Sequence, residues 1–157
     1  MDFDSLIHDL KANPGLDTLT ADSEGIYRIA INDLYVVSLA LAPDSSDYFL
    51  FATICIVPAE EKLKRALFQR FLECNLFGKE THKGYFALDS RQGIILLIRR
   101  FDTSIENLEK FLQELKDYVN TLVFWQEELR GVLTEAATVS ETAKATANIL
   151  LNLGKMV

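Results

Sequence analysis

The chain has 157 residues, of which 49% are hydrophobic and 25% charged, and its formal net charge is −7 at pH 7. These values are typical of one globular domain and exclude a disordered chain. The acidic balance argues against a nucleic-acid partner, because proteins that bind phosphate backbones present basic faces. The sequence shows no basic leader before an apolar run, and no run approaches the roughly 20 apolar residues that span a bilayer. We therefore expect a cytoplasmic protein without membrane insertion.

The N-terminal part predicts a helix followed by three strands. Apolar residues at three- and four-residue steps predict a helix over 2–12, which Pro14 and Gly15 end. Apolar runs predict strands at 26–31, 34–42 and 48–57, joined by short turns into an antiparallel meander. Both faces of the last two strands are apolar, whereas an antiparallel strand with one face in water alternates. The second face therefore requires a cover, which a partner chain could supply.

A helix and a hairpin form the centre of the predicted fold. Apolar residues occupy more of the helix predicted at 63–77 than packing on a single core requires, and Gly78 ends it. Two apolar runs around the turn Asp89–Gly93 predict a hairpin over 84–102. The surplus apolar surface predicts a homodimer built on this helix and the strand after it. The expected interface residues are Leu67, Phe68, Phe71, Leu72 and Phe86.

The C-terminal part predicts one long helix and an extension. Thr103–Glu106 has the spacing of a capping box, and an apolar stripe follows to about residue 130. A single amphipathic helix across the sheet is preferred here to coiled-coil pairing. Gly131 then marks the start of an Ala/Thr-rich extension, 131–157, where a second capping box begins at Thr138. This extension is either flexible or a short helix that docks on the sheet or on a partner.

The order of these elements, α-β-β-β-α-β-β-α, predicts the fold class. Strands that follow one another through short turns pair antiparallel, and helices bury their apolar stripes against the sheet. We expect an α+β domain over residues 1–130 with one twisted antiparallel sheet and its helices packed mainly on one face.

The sequence lacks the motifs of catalysis and cofactor binding. Gly78–Thr81 (GKET) is similar to the end of a phosphate loop, but the earlier glycine and the Ser or Thr after the lysine are missing. The two histidines, His8 and His82, have no ligand-type residues at metal spacing. Cys55 and Cys74 lie inside apolar runs, as buried thiols of a reducing compartment do. We expect no enzymatic activity, no cofactor and no metal.

Three segments of the centre resemble a known family. They are Phe68-x-x-Phe71-Leu72-x-x-Asn75-Leu76-Phe77-Gly78, then Gly84-Tyr85-Phe86-Ala87-Leu88-Asp89, and Ile95-Leu96-Leu97-Ile98-Arg99-Arg100. This region is similar to the central part of the class I type III secretion chaperones, the Tir-chaperone-like family, and length and element order extend the resemblance over about residues 1–130.

The resemblance implies a function. Such a chaperone is a dimer that binds the N-terminal chaperone-binding segment of secreted effectors and keeps it soluble and export-competent without consuming a nucleotide. The implied partners are a second copy of the chain, secreted effector proteins and the export ATPase of the secretion apparatus, in the bacterial cytoplasm. The alternative is a non-enzymatic regulatory or scaffold domain of similar fold that binds a folded partner protein.

The cargo is expected to bind as an extended chain across the first helix and the outer face of the meander. A cargo strand that pairs with an exposed sheet edge is a further expectation. The predicted lining residues are Phe3, Leu6, Ile7, Leu10, Ile29, Val36 and Leu39.

Overall fold

The structure, a computed structural model, describes residues 1–43, 45–78, 80–102 and 105–153, with side chains up to residue 133. The chain divides into two compact units, residues 1–123 and 124–157. The elements are helix α1 (Phe3–Lys11), strands β1 (Tyr27–Ile31), β2 (Tyr35–Leu41) and β3 (Tyr48–Ile56), helix α2 (Glu61–Asn75) with a 3₁₀ turn (Leu76–Gly78), strands β4 (Tyr85–Asp89) and β5 (Ile94–Phe101), and helix α3 (Leu108–Leu153).

The strands form one five-stranded antiparallel sheet in the order β1-β2-β3-β5-β4. The β1–β2 turn places Asn32 and Asp33 at φ values of 52° and 56°, a region that Asn and Asp tolerate better than most residues. A bulge interrupts the pairing of β3 with β5 between Thr53 and Cys55. The predicted α+β class and element order are confirmed, and β1 and β4 are the two edges of the sheet.

Side-chain caps determine where the first two helices begin. The Asp2 carboxylate accepts a hydrogen bond from the Ser5 amide at 2.8 Å at the start of α1. The Glu60 carboxylate accepts from the amides of Lys62 at 2.9 Å and Leu63 at 2.6 Å at the start of α2. These bonds satisfy amides that have no partner inside the helix, and those to Glu60 lower the pKa of its carboxyl.

The start of α3 differs from the prediction. The helix begins at Leu108, and the Asn107 side-chain oxygen accepts from the Lys110 amide at 2.9 Å. Asn107, rather than the box at Thr103–Glu106, therefore provides the cap; Thr103 and Ser104 themselves lie outside the described residues. Asn is as good an acceptor at this position as Ser or Thr, so the sequence offered two competing starts.

The end of α3 also differs from the prediction. The helix continues through Gly131 to Leu153, so the predicted end near residue 130 is wrong and Thr138 lies inside a helix rather than at its start. One glycine costs about 1 kcal/mol in a helix interior, which flanking helix-favouring residues can offset. The side chains of 134–153 and all of 154–157 lie outside the described residues.

The core lies on one face of the sheet and is centred on Tyr48. The Tyr48 ring lies 5.8 Å from that of Phe3 on α1, 5.6 Å from that of Phe101 on β5 and 6.3 Å from that of Phe111 on α3. The Tyr118 hydroxyl donates to the Leu97 carbonyl at 2.7 Å, which ties α3 to β5. We call this the inner face.

Helix α2 packs on the same inner face. Its Phe71 ring lies 4.5 Å from that of Phe86 on β4, and Phe86 is paired through Leu97 to Ala52, four residues after Tyr48. Cross-strand partners point to the same side of a sheet, and so do residues an even number apart in one strand. The prediction that the helices pack mainly on one face is therefore confirmed.

Candidate functional site

An apolar groove of about 220 Å³ runs between α2 and the β4–β5 hairpin. Phe71 and Phe86 are buried at its floor, whereas Leu72 and Leu88 are 70% and 51% exposed at its rim. We call it the α2–β4 groove, and its lining residues are Phe68, Phe71, Leu72, Asn75, Phe86, Ala87, Leu88 and Ile95.

The spacing of apolar residues along α2 explains why the groove exists. Leu67, Phe71 and Cys74, at four- and three-residue steps, are buried on the side that faces the sheet. Phe68 and Leu72 come one position later, about 100° further round the helix, and so lie at the margin of the core. The second apolar stripe therefore stays open beside β4.

The Asn75 side chain holds the two walls of the groove together. Its amide nitrogen donates to the Phe86 carbonyl at 3.0 Å, and its amide oxygen accepts from the Phe86 amide at 2.7 Å. Both backbone groups belong to an edge strand, so the clamp fixes α2 against β4. Sequence reasoning missed this role; the signal was one amide side chain in an otherwise apolar helix face, which has to find a partner when it is buried.

The predicted interface residues come together at this groove with one exception. Phe68, Phe71, Leu72 and Phe86 all line it, whereas Leu67 is 5% exposed and is not among the lining residues. The dimer stays a prediction, and the structure adds Leu88 and Ile95 to the surface on which it would form.

A second apolar surface lies on the sheet face opposite Tyr48. The pairs Ala40 with Phe49 and Phe51 with Ile98 place these four residues on that side. Most are half-buried, and Val36 at one end is 54% exposed. We call this the outer sheet face, and its apolar members are Ala30, Val36, Ala40, Phe49, Phe51, Ile56, Tyr85, Ala87, Ile94, Leu96 and Ile98.

Six of the seven predicted cargo-binding residues lie in the core. The α1 residues Phe3, Leu6, Ile7 and Leu10, and the strand residues Ile29 and Leu39, are each 9% exposed or less. The α1 stripe packs entirely on the inner face, and the pairs Ile29 with Val37 and Leu39 with Leu50 direct those side chains the same way. The expected sharing of α1 between core and groove is therefore not what the structure shows.

Val36 is the predicted cargo residue that remains exposed. It lies on the outer sheet face, because it is paired with Ala30 and is one residue from the inner-facing Val37. Of the two parts of the expected cargo surface, α1 and the outer face of the meander, the second is therefore the one that stays accessible in a single chain.

A charged cluster lies at the end of β5. The Arg99 side chain is 5% exposed and pairs with Glu114 on α3, which Lys83 also approaches at 3.4 Å and Lys110 at 4.0 Å. Burial lowers the pKa of the Arg99 guanidinium from its ordinary value. The next residue, Arg100, pairs with Asp47 at the start of β3. These pairings tie β5 to its neighbours.

Both cysteines, Cys55 and Cys74, are buried free thiols. Burial raises the pKa of the Cys55 thiol to about 11 and also raises that of Cys74, so both stay neutral at physiological pH. Within the part of the chain that the structure describes, no three His, Cys, Asp or Glu side chains gather into a group able to hold a metal ion. The helices in the same part are too short or too polar to cross a membrane.

A protein-family model and a curated relative each match most of the chain. The model of the Tir chaperone protein (CesT) family matches residues 5–126. A Chlamydia pneumoniae protein is 26% identical over 114 residues, which cover 71% of this chain and 83% of that protein.

Solved structures share the fold. The ExsC–ExsE complex matches with a TM-score of 0.64 at 22% identity, over 81% of this chain and 96% of the matched chain. The Yersinia pestis type III secretion chaperone SycH, in complex with a stable fragment of YscM2, matches with a TM-score of 0.55 at 21% identity, over 77% and 97% of the two chains.

Proposed function

The chain belongs to the Tir chaperone protein (CesT) family, and from this premise we propose that it is a type III secretion chaperone. It binds the N-terminal chaperone-binding segment of secreted effectors in the bacterial cytoplasm and keeps that segment soluble and export-competent. The role requires no catalysis, because holding an extended chain only needs apolar and backbone contacts. The export ATPase of the secretion apparatus is the further partner that the family implies.

The outer sheet face is the observation that carries this proposal. Apolar side chains there run across the strands from Val36 to Tyr85, and each of them is half-buried or exposed rather than enclosed in the core. An unfolded effector segment laid on this face gains apolar burial that offsets the entropy lost on ordering. The edge of β1 beyond Tyr27, where Ala21 forms a bridge, offers backbone groups to the same segment.

The active form that we propose is a homodimer formed at the α2–β4 groove. Four of the five predicted interface residues line that groove, and its rim residues Leu72 and Leu88 are more than half exposed in a single chain. A second copy would cover them. Light scattering behind gel filtration tests this: a dimer has twice the chain mass of 17.8 kDa, and a particle of that single mass contradicts it.

Copurification with effector segments tests the cargo surface. Val36→Asp should abolish capture of an effector N-terminal segment, because it places an unpaired charge inside an apolar contact. The matched control is Leu41→Asp, since Leu41 lies on the same strand with similar exposure, 48% against 54%, but five residues away and so on the opposite face. Both variants should keep the wild-type circular dichroism spectrum and mass.

Two results would contradict the proposal. Normal capture by Val36→Asp would show that cargo binds elsewhere. Capture that requires a folded domain of the partner, with none by its unfolded N-terminal segment, would favour a regulatory or scaffold domain over a chaperone.

A further inference from the structure

The turn after α2 presents two apolar side chains to solvent. Leu76 is 63% exposed and Phe77 is 85% exposed. Phe77 has φ 62° and ψ 4°, in the left-handed region that favours glycine, and Gly78 follows at φ 61°. The backbone therefore holds an aromatic ring in water in a conformation that bulky residues rarely adopt. The exposed ring and the unfavourable backbone conformation each cost free energy. Within a single chain the ring is not buried, so nothing gained by burial offsets either cost.

The α2–β4 groove lies beside this turn, is lined mainly by apolar side chains and is large enough for an aromatic ring. It begins on the same helix, its floor is aromatic, and its volume is about 220 Å³. An apolar cavity of about 150 Å³ is enough to hold benzene. At 85% exposure, the Phe77 ring does not occupy the groove of its own chain.

Two-fold symmetry brings the ring and the groove together. In a two-fold dimer every contact of residue i with residue j occurs a second time as j with i. If two α2 helices cross antiparallel at Leu72, the most exposed residue of the groove, Phe77 lies five residues from the crossing. It then faces the position five residues before the crossing, about 7.5 Å along the second helix, next to Phe68 of that copy.

We propose that Phe77 is the dimer anchor: the ring of each copy inserts into the α2–β4 groove of the other, against Phe68, Phe71 and Phe86. This inference rests on the homodimer proposed above and adds the residue that sets its register. Aromatic side chains buried in a pocket at the centre of an interface are typical energetic anchors. The strained backbone of Phe77 serves to aim the ring away from its own chain.

The variant Phe77→Asn distinguishes a role of Phe77 as dimer anchor from a purely structural role within one chain. Asn tolerates the left-handed conformation, so the fold of one chain is retained or becomes more stable, whereas the anchor is lost. Each lost anchor weakens binding roughly 30-fold and two are lost per dimer, so the dissociation constant should rise roughly 1,000-fold. The matched control is Leu34→Asn, a residue 78% exposed in the β1–β2 turn, near the opposite edge of the sheet from β4; it should leave the dissociation constant unchanged.

A mixing experiment tests whether Phe77 of one copy inserts into the α2–β4 groove of the other. Leu88→Glu blocks the groove but keeps the anchor, whereas Phe77→Asn keeps the groove but lacks the anchor. Each variant alone has no intact contact, and a mixed dimer has one. Analytical ultracentrifugation should therefore show more dimer in the equimolar mixture than in either variant alone at the same total concentration.

The possible failures are distinguishable. If wild type is dimeric and Phe77→Asn is equally so, or if the mixture stays as monomeric as its components, the anchor is refuted while the homodimer stands. If wild type itself is monomeric throughout the dilution series, the homodimer fails together with the anchor, and the groove is left for a cargo segment.

Discussion

Replacing Asn75 by alanine should lower the free energy of unfolding by about 2–4 kcal/mol. The side chain is the partner of two part-buried backbone groups of Phe86, at 2.7 Å and 3.0 Å. Each buried backbone group that loses its partner costs roughly 1–3 kcal/mol, so two cost roughly 2–6 kcal/mol, and partial access of water keeps the loss in the lower part of that range. For a chain of this size, a loss of about 3 kcal/mol lowers the melting temperature by about 6–12 °C.

Urea unfolding at one fixed protein concentration measures this loss, because dimer formation would raise the apparent stability by mass action. Gln69→Ala is the matched control: this amide lies on the same helix and bonds Glu73 at 2.9 Å, but both groups are exposed. We expect the control to stay within about 0.5 kcal/mol of wild type. Hydrogen exchange at the Phe86 amide should accelerate in Asn75→Ala. If exchange there is unchanged, or if both variants are equally stable, the clamp does not hold α2 to β4.

Three further predictions concern the core. Tyr48→Phe should raise the free energy of unfolding by about 1 kcal/mol in urea, since the buried hydroxyl has no hydrogen-bond partner among the described residues; a loss would contradict this. Glu114→Gln should lower it by about 3 kcal/mol, because the buried Arg99 charge loses its counter-ion, whereas the exposed Lys83→Gln should change it by less than about 1 kcal/mol; equal effects of the two in thermal melts would refute the reasoning. Burial raises the pKa of Cys55 from 9.0 to about 11, so its contribution to stability is complete below pH 9 and is lost as pH rises towards 11. Cys55→Ala should flatten that alkaline decline in urea midpoints, and an unchanged slope would show that the thiol is not its cause.

The sequence by itself determined the order and type of the elements. The spacing of apolar residues, the turn-forming residues and the residues that end helices or strands are local properties of the chain. The five strands and three helices could therefore be assigned without knowledge of the packing. The turn at Asn32 and Asp33 is an example, since residues that tolerate positive φ mark it in the chain. Gly131 shows where the local signal failed: the cost of one glycine is small, and α3 continues beyond it. The excess of apolar residues in α2 and in the meander could also be read from the sequence, and it led to the expectation of a partner chain.

Only the tertiary structure decided which apolar residues remain outside the core. Ile29, Val36 and Leu39 were grouped from sequence, yet the strand register buries the first and last and leaves Val36 on the other face. Successive side chains in a strand point to opposite faces of the sheet. An error of one position in the register therefore reverses which residues are assigned to the core and which to the outer face. The same holds for Asn75, whose bonds to Phe86 span 11 residues and exist only once α2 has packed beside β4. Contacts of this kind depend on the relative placement of whole elements, which no local pattern encodes.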